Sequence, residues 1–510
     1  MRLAPWLAGL LLLGAAAPAS AGERVRLAIY HTNDVHGWIY PREASWHKAD
    51  PKRRVGGFAA LAELVKRERL PKLLLDGGDW FQGTPEGSYS RGLATAECMN
   101  ALRYDAVAIG NHDFDFGEEQ LRRVIGALRM PALGSNIYRE ADGRRPEYVT
   151  PHLIREVAGV TVGLFGLLTT QMPTLAFEKD YRGLRFRREV DEARDMVRQL
   201  KAKGATVIIA VTHIGFLEPG MGAFEDEKFL AAEVPGIDVV VGGHTHSRLH
   251  PPVHERRNGT LVAQAGCYLS QAGRIELEID RETGRVVGST GTLHELWLDE
   301  LGEDPAVQAV VARYQDEADR QLRVVVATAA DTLSRNRSGE ASVGDWLTDC
   351  TREWAGTQVA FQNNGGIRAD IPAGPVTLRH LFELMPFDNR VATLTLTGAQ
   401  LRETLEFGVS SASRGALQMS GVKLRYRPRA ADGGRLTDVR VGEEKLRDDA
   451  RYTVATVDFL VQRGDGYAAL GRGEGTTVTE TLQRDVLGWC AKRRGVLRAS
   501  PRDRIVPEVD

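Results

Sequence analysis

From residue 24 to about residue 280, short apolar runs alternate with stretches of helical periodicity. Segments 27–30, 72–75, 106–109, 161–165, 207–211 and 239–241 are short, mainly apolar runs that read as buried strands. Between them, 58–69, 118–129 and 189–203 read as amphipathic helices. In the first of these, Leu61, Leu64 and Val65 keep the i, i+3, i+4 spacing of one buried face. This alternation predicts a layered α/β domain. Segment 274–280 then switches to strict alternation, with Ile275, Leu277 and Ile279 on one face of a half-buried strand. Segment 304–323 is polar, alanine-rich and helical in pattern, and predicts an interdomain helix. Beyond it the pattern mixes a helix at 343–354 with strands near 359–361, 390–396 and 452–456, a second α/β domain. No repeat or low-complexity tether separates the halves.

The length of 510 residues is consistent with more than one domain. Lys and Arg number 66 against 68 Asp and Glu, a net charge of −2 that gives no basic face for a nucleic-acid polymer. At the N-terminus, Arg2, an apolar run over 7–17 and Ala19-Ser20-Ala21 predict a signal peptide over 1–21, cleaved near Ala21. The run is shorter than the ~20 residues that span a bilayer. The expectation is therefore export, periplasmic or secreted, without stable membrane insertion. Cys98, Cys267, Cys350 and Cys490 would meet an oxidising compartment, where three pairings are open; none lies in a CxxC.

The chemistry collects where apolar runs end. His31-Thr32-Asn33-Asp34-Val35-His36-Gly37 follows the first strand and Asp76-Gly77-Gly78-Asp79 the second. Gly110-Asn111-His112-Asp113-Phe114-Asp115, Thr212-His213 and Gly242-Gly243-His244-Thr245-His246 follow later ones. Open α/β sheets bind ligands at these carboxyl ends. Five of the twelve histidines fall in these motifs besides His31, which reads either as a support for the first loop or as a plain buried residue. The spacing of Asp34 and His36 would put both side chains on one side of an extended segment. Carboxylate, imidazole and amide donors suit two borderline divalent metals, Zn, Mn, Fe or Co. A shared carboxylate would hold the pair about 3.5–4 Å apart, the spacing used for phosphoryl displacement. In the second half, Asn363-Asn364-Gly365-Gly366-Ile367-Arg368, Pro386-Phe387-Asp388-Asn389 and Phe459…Gly464-Asp465-Gly466-Tyr467 stand out as further loop motifs.

Together these motifs resemble the calcineurin-like metallophosphatases, specifically the secreted 5′-nucleotidase and UDP-sugar hydrolase family, over nearly the whole chain after residue 21. The resemblance implies an α/β/β/α metallophosphatase domain over 22–300, an interdomain helix over 301–323 and a mixed α/β nucleotide-binding domain over 324–510. It implies one metal held by Asp34, His36, Asp79 and His246, and a second held by Asp79, Asn111, His213 and His244. His112 with Asp115 matches the family's catalytic pair. Phe387 and Phe459 match its base-stacking rings, Asp465 a ribose contact, Arg368 and Arg337 phosphate contacts, and Asn363 and Asn389 further substrate contacts. Two positions depart from residues common in the family, Arg463 and Asp388 for Gly, and some relatives carry Gln or Asn where this chain has His246. The implied activity is hydrolysis of nucleoside 5′-monophosphates, a small-molecule nucleotide substrate. Alternatives are a nucleotide-sugar diphosphatase, a 2′,3′-cyclic-nucleotide phosphodiesterase, or an exported protein that binds metal or nucleotide without turnover. Thiosulfohydrolases of related architecture fit less well, because Asn111-His112-Asp113 keeps the phosphatase form.

Overall fold

The structure, a computed structural model, describes residues 23–44, 46–218, 224–336, 338–410 and 415–508. The predicted signal segment and Arg337 lie outside the described residues.

The apolar runs of the first half fold into two six-stranded sheets among the described residues. One has the order Val286–Glu295, Gln271–Asp280, Arg24–Thr32, Lys72–Asp76, Ala106–Ala108, Ala132–Leu133. The other runs Val253–His254, Leu261–Ala263, Val239–Val241, Val207–His213, Val160–Leu168, His152–Val157. The central strands of each are parallel; both edge strands of the second sheet run antiparallel to their neighbours, whereas the first has its antiparallel pairs at the Val286–Glu295 end and a parallel edge at Ala132–Leu133. Alternation along Arg24–Thr32 explains the layering. Leu27 and Ile29 pack between the sheets with Leu164, Ile209 and Val241, whereas Ala28 and Tyr30 face outward onto Phe58 and Leu61 of the helix Phe58–Lys66. On the far side, Ile208, Ala210 and Val240 pack on the helices Glu189–Ala202 and Glu227–Glu233. The layers are α/β/β/α, the layered α/β domain that the periodicity predicts in the order that the resemblance implies.

The helix Pro305–Leu322 begins with Pro in its first turn, where a missing N–H is harmless, and Asp304 accepts from Val307 N–H at 2.9 Å as its cap. Val307 and Val311 enter the core of the first layer, so this connecting helix is built onto the first domain. The second half centres on a five-stranded sheet, Gln418–Ser420, Val359–Gln362, Arg451–Val457, Arg390–Thr397 and Glu474–Leu482. The helices Ser342–Ala355 and Gln483–Arg494 are joined by a Cys350–Cys490 disulfide, which leaves Cys98 buried and Cys267 half-buried as free thiols.

Candidate active site

The strand-end motifs of the first domain converge. Asp34, His36 and His246 bring one ligand atom each within 4.8 Å of one another, and Asp34, Asp79 and His213 do the same. Asp79 Oδ2 lies 3.1 Å from His213 Nε2 and 3.7 Å from His36 Nε2, so it reaches both groups. Asp34 Oδ1 lies 3.3 Å from His246 Nε2 and 4.0 Å from His213 Nε2. His244 stands beside these tight groups, with its Nδ1 2.9 Å from Asn111 Oδ1 and its ring 5.2 Å from that of His213.

This set fits divalent cations. His36 Nδ1 lies 2.7 Å from Gln82 O and His213 Nδ1 lies 2.7 Å from Gly77 O. Each carbonyl fixes the proton on Nδ1 and turns the Nε2 lone pair inward, the usual support of a metal-binding imidazole. His213 Nε2 is buried and accepts no hydrogen bond. Burial opposes charge on His213, yet Asp79 and Asp34 outweigh it and raise its pKa to about 10. A positive charge is therefore strongly favoured between these carboxylates.

The backbone differs from the extended D-x-H expected from spacing. Asp34 and His36 have φ of 52° and 50°, and Asp79, His244 and His246 have 60°, 85° and 59°. Five of the seven proposed ligands thus occupy the left-handed region, disfavoured for residues with a Cβ and typical of functional sites. The chain coils around the site, and this coiling aims neighbouring side chains inward. Gly78 has room only because it lacks a side chain: a Cβ there would meet His213 Nδ1 at 2.8 Å. Asp113, fully buried, accepts from Asp79, Trp80 and Gly110 N–H groups and ties two of the loops together.

His112 Nδ1 lies 2.8 Å from Asp115 Oδ2, and its backbone N–H donates to Asp79 Oδ1 at 2.8 Å. Burial works against its protonation, but Asp115 and Asp79 raise its pKa overall. The second domain closes over this surface across a cleft of about 2090 Å³. Its walls bring Asn363, Arg368, Phe387, Asn389, Phe459 and Asp465 opposite Asp79, Asn111, His112, His244 and His246. Arg368 Nη2 lies 2.9 Å from His36 Nε2, and Phe387 stacks obliquely on His112 with centroids 5.2 Å apart. Phe459 meets Phe177 of the first domain edge-on at 5.9 Å, and Asn363 donates to Asp465 Oδ2 at 2.6 Å. His31 is buried on the first strand, and a Cβ on the facing Gly273 would collide with its ring, so it packs within the sheet.

Arg42, Cys267 and Tyr268, which sequence reasoning missed, line the cleft, and so does Arg335. Burial raises the Cys267 pKa, but His246 and Arg42 beside it outweigh this and lower the thiol overall. Arg335 donates to Arg368 O at 2.7 Å and to Asp370. The signal for Cys267 and Tyr268 was weak. They follow a strand of only three residues, Leu261–Ala263, although that strand end obeys the same rule as the others.

Paired sheets with a histidine and carboxylate cluster at the strand ends define a metallophosphoesterase. Residues 27–248 match the calcineurin-like phosphoesterase family and residues 324–472 the 5′-nucleotidase C-terminal domain. The chain is 30% identical to a snake venom 5′-nucleotidase of Naja atra, covering 94% of this chain and 98% of that one. The crystal structure of a 5′-nucleotidase precursor from Thermus thermophilus superposes with a TM-score of 0.86 at 29% identity, covering 95% of this chain and 100% of that one. A Thermus thermophilus sulfate thiohydrolase shares the fold, with a TM-score of 0.81 at 18% identity, covering 97% and 98%. This chain belongs to the 5′-nucleotidase family and is a metal-dependent phosphoric ester hydrolase. Among the described residues, no helix is long and apolar enough to cross a membrane.

Proposed function

We propose that the protein acts after export, periplasmic or secreted, and hydrolyses nucleoside 5′-monophosphates to nucleoside and phosphate with two divalent ions. The carrying observation is one cleft lined by Asp79, Asn111, His112, Asp115, His244 and His246 together with Asn363, Arg368, Phe387, Asn389 and Phe459. Asp34, His36, Asp79 and His246 would hold one ion, and Asp79, Asn111, His213 and His244 the other. Bound there, the ions would supply Lewis acidity to the phosphoryl oxygens and activate water.

The chain's own groups do the rest. Asp115 holds His112 through Nδ1, leaving Nε2 to stabilise and protonate the leaving oxygen. Arg368 offers a planar guanidinium to phosphate. Phe387 and Phe459 would stack on the base, worth about 1–3 kcal/mol per base, and Asp465 would receive a ribose hydroxyl. Both rings rest on first-domain rings, and Arg368 rests on His36. Substrate entry would exchange these contacts, which requires the domains to part.

Phosphate release from AMP, UDP-glucose and a 2′,3′-cyclic nucleotide, measured with Mn²⁺ and with chelator, tests this reading. AMP turnover abolished by chelator is expected. Turnover of only the other substrates would reassign the enzyme, and binding without release would make it a binding protein. His112→Ala should lower turnover at least ~100-fold with metal content unchanged; full activity would remove its assigned role.

A further inference from the structure

The strained segment 242–247 carries two proposed ligands, His244 and His246, and strained backbone persists only where its surroundings over-determine it. Beneath it lie two polar side chains with no exposure, Glu227 and Gln264, which do not line the cleft. Glu227 Oε1 accepts from the Thr212 hydroxyl and from Gly243 N–H, both at 3.2 Å. Its Oε2 accepts from Gln264 Nε2 at 2.8 Å. Gln264 Nε2 also donates to Gly243 O at 2.9 Å, and Gln264 Oε1 accepts from Ser247 N–H at 3.0 Å and the Thr245 hydroxyl at 3.2 Å.

Every partner of this pair adjoins a proposed ligand in the chain. Thr212 precedes His213, Gly243 precedes His244, and Thr245 and Ser247 flank His246. The carboxylate lies so close under the segment that a Cβ on Gly242 would overlap it. Glu227 is itself anchored, because Asp226 before it accepts from Phe229 N–H at 2.8 Å and Leu217 N–H at 2.9 Å.

We infer that Glu227 and Gln264 form a buried brace that holds His213, His244 and His246 in mutual register, and so set divalent-cation affinity without touching the ion or substrate. They are positioning residues, and the inference rests on the metal-site reading above. The brace depends on acceptor pattern. In Glu227→Gln, the new amide group must face a donor from Thr212, Gly243 or Gln264 in either orientation. Reversing the pair, Glu227→Gln with Gln264→Glu, restores the bond between them and the acceptor for residues 245 and 247, leaving Gly243 O without its donor.

The test is Mn²⁺ titration of chelator-stripped protein, reading free Mn²⁺ by electron paramagnetic resonance, beside the melting temperature of the stripped form. Outer supports of metal ligands typically contribute about 10–100-fold in affinity. Glu227→Gln should weaken Mn²⁺ binding at least ~10-fold, and the reversed pair should recover part of that loss. At saturating Mn²⁺ the KM for AMP should stay within about twofold of the parent, since no substrate contact is touched. Should Glu227→Gln fold poorly, Gln264→Met cuts the anchor of residues 245 and 247 and should show the same weakening. Mn²⁺ affinity unchanged in the folded variants, with only the melting temperature lowered, overturns the brace. Absence of Mn²⁺ binding by the parent protein instead overturns the metal-site reading, and the brace with it.

Discussion

Removing the guanidinium of Arg379 should loosen the junction of the two domains more than any surface charge change. This side chain, 18% exposed, reaches from the second domain to the first and to the connecting helix. Its Nη2 lies 2.7 Å from Glu86 Oε1 and 2.5 Å from Asp319 Oδ1. Its Nη1 donates to Tyr40 Oη at 3.0 Å, and that hydroxyl donates to Glu383 Oε1 at 2.8 Å. Glu86 has no side-chain exposure, and its carboxylate oxygens have no other hydrogen-bond partner, so Arg379 is its compensating charge. Removing one member of a buried ion pair leaves the other uncompensated and typically costs about 3–5 kcal/mol. Arg379→Met keeps most of the stem volume and should lose that amount in urea unfolding followed by tryptophan fluorescence. Glu86→Gln added to Arg379→Met removes the stranded charge and should recover at least half. A loss below about 1 kcal/mol in the single variant, or no recovery in the double, would falsify the assignment of this contact as the junction's main electrostatic tie.

Two further outcomes follow from buried groups of the second domain. The Cys350–Cys490 bond closes a sequence separation of 140 residues, so Cys490→Ala should destabilise this domain by about 2–5 kcal/mol in urea, with no further effect of reductant; equal stability of parent and variant would contradict a formed bond. Burial pushes the Glu383 carboxyl up to about 7 despite Arg379 and Tyr40, above its ordinary 4.5. Because the folded state holds this proton more tightly, its contribution is full below pH 4.5 and is lost as pH rises through about 7, on the order of 3 kcal/mol. Glu383→Gln should flatten the fall in stability between those pH values, and an unchanged slope would refute the buried carboxyl as its source.

The legible and illegible parts of this protein divide along a physical line. Apolar periodicity reports which face of a regular element is buried, so the strands at 27–30, 207–211 and 239–241 and the three amphipathic helices were readable, and with them the layering. Polar residues just past an apolar run lie at a strand end by construction. That is why Asp34, Asp79, Asn111, His213 and His244 could be proposed without knowing the strand order. Periodicity carries no information about backbone turned to positive φ, so the extended reading of Asp34 and His36 failed although both side chains do face the cluster. Nor does it report which distant elements meet. Glu227 opens a seven-residue helix and Gln264 follows a three-residue strand, and each alone looks like an ordinary polar residue at an element's end. Arg379 and Glu86 are likewise unremarkable until the domains pack. What sequence reveals here is the chemistry that strands present at their ends. What holds that chemistry in place is set by contacts between strand ends, and those depend on how the two sheets are stacked.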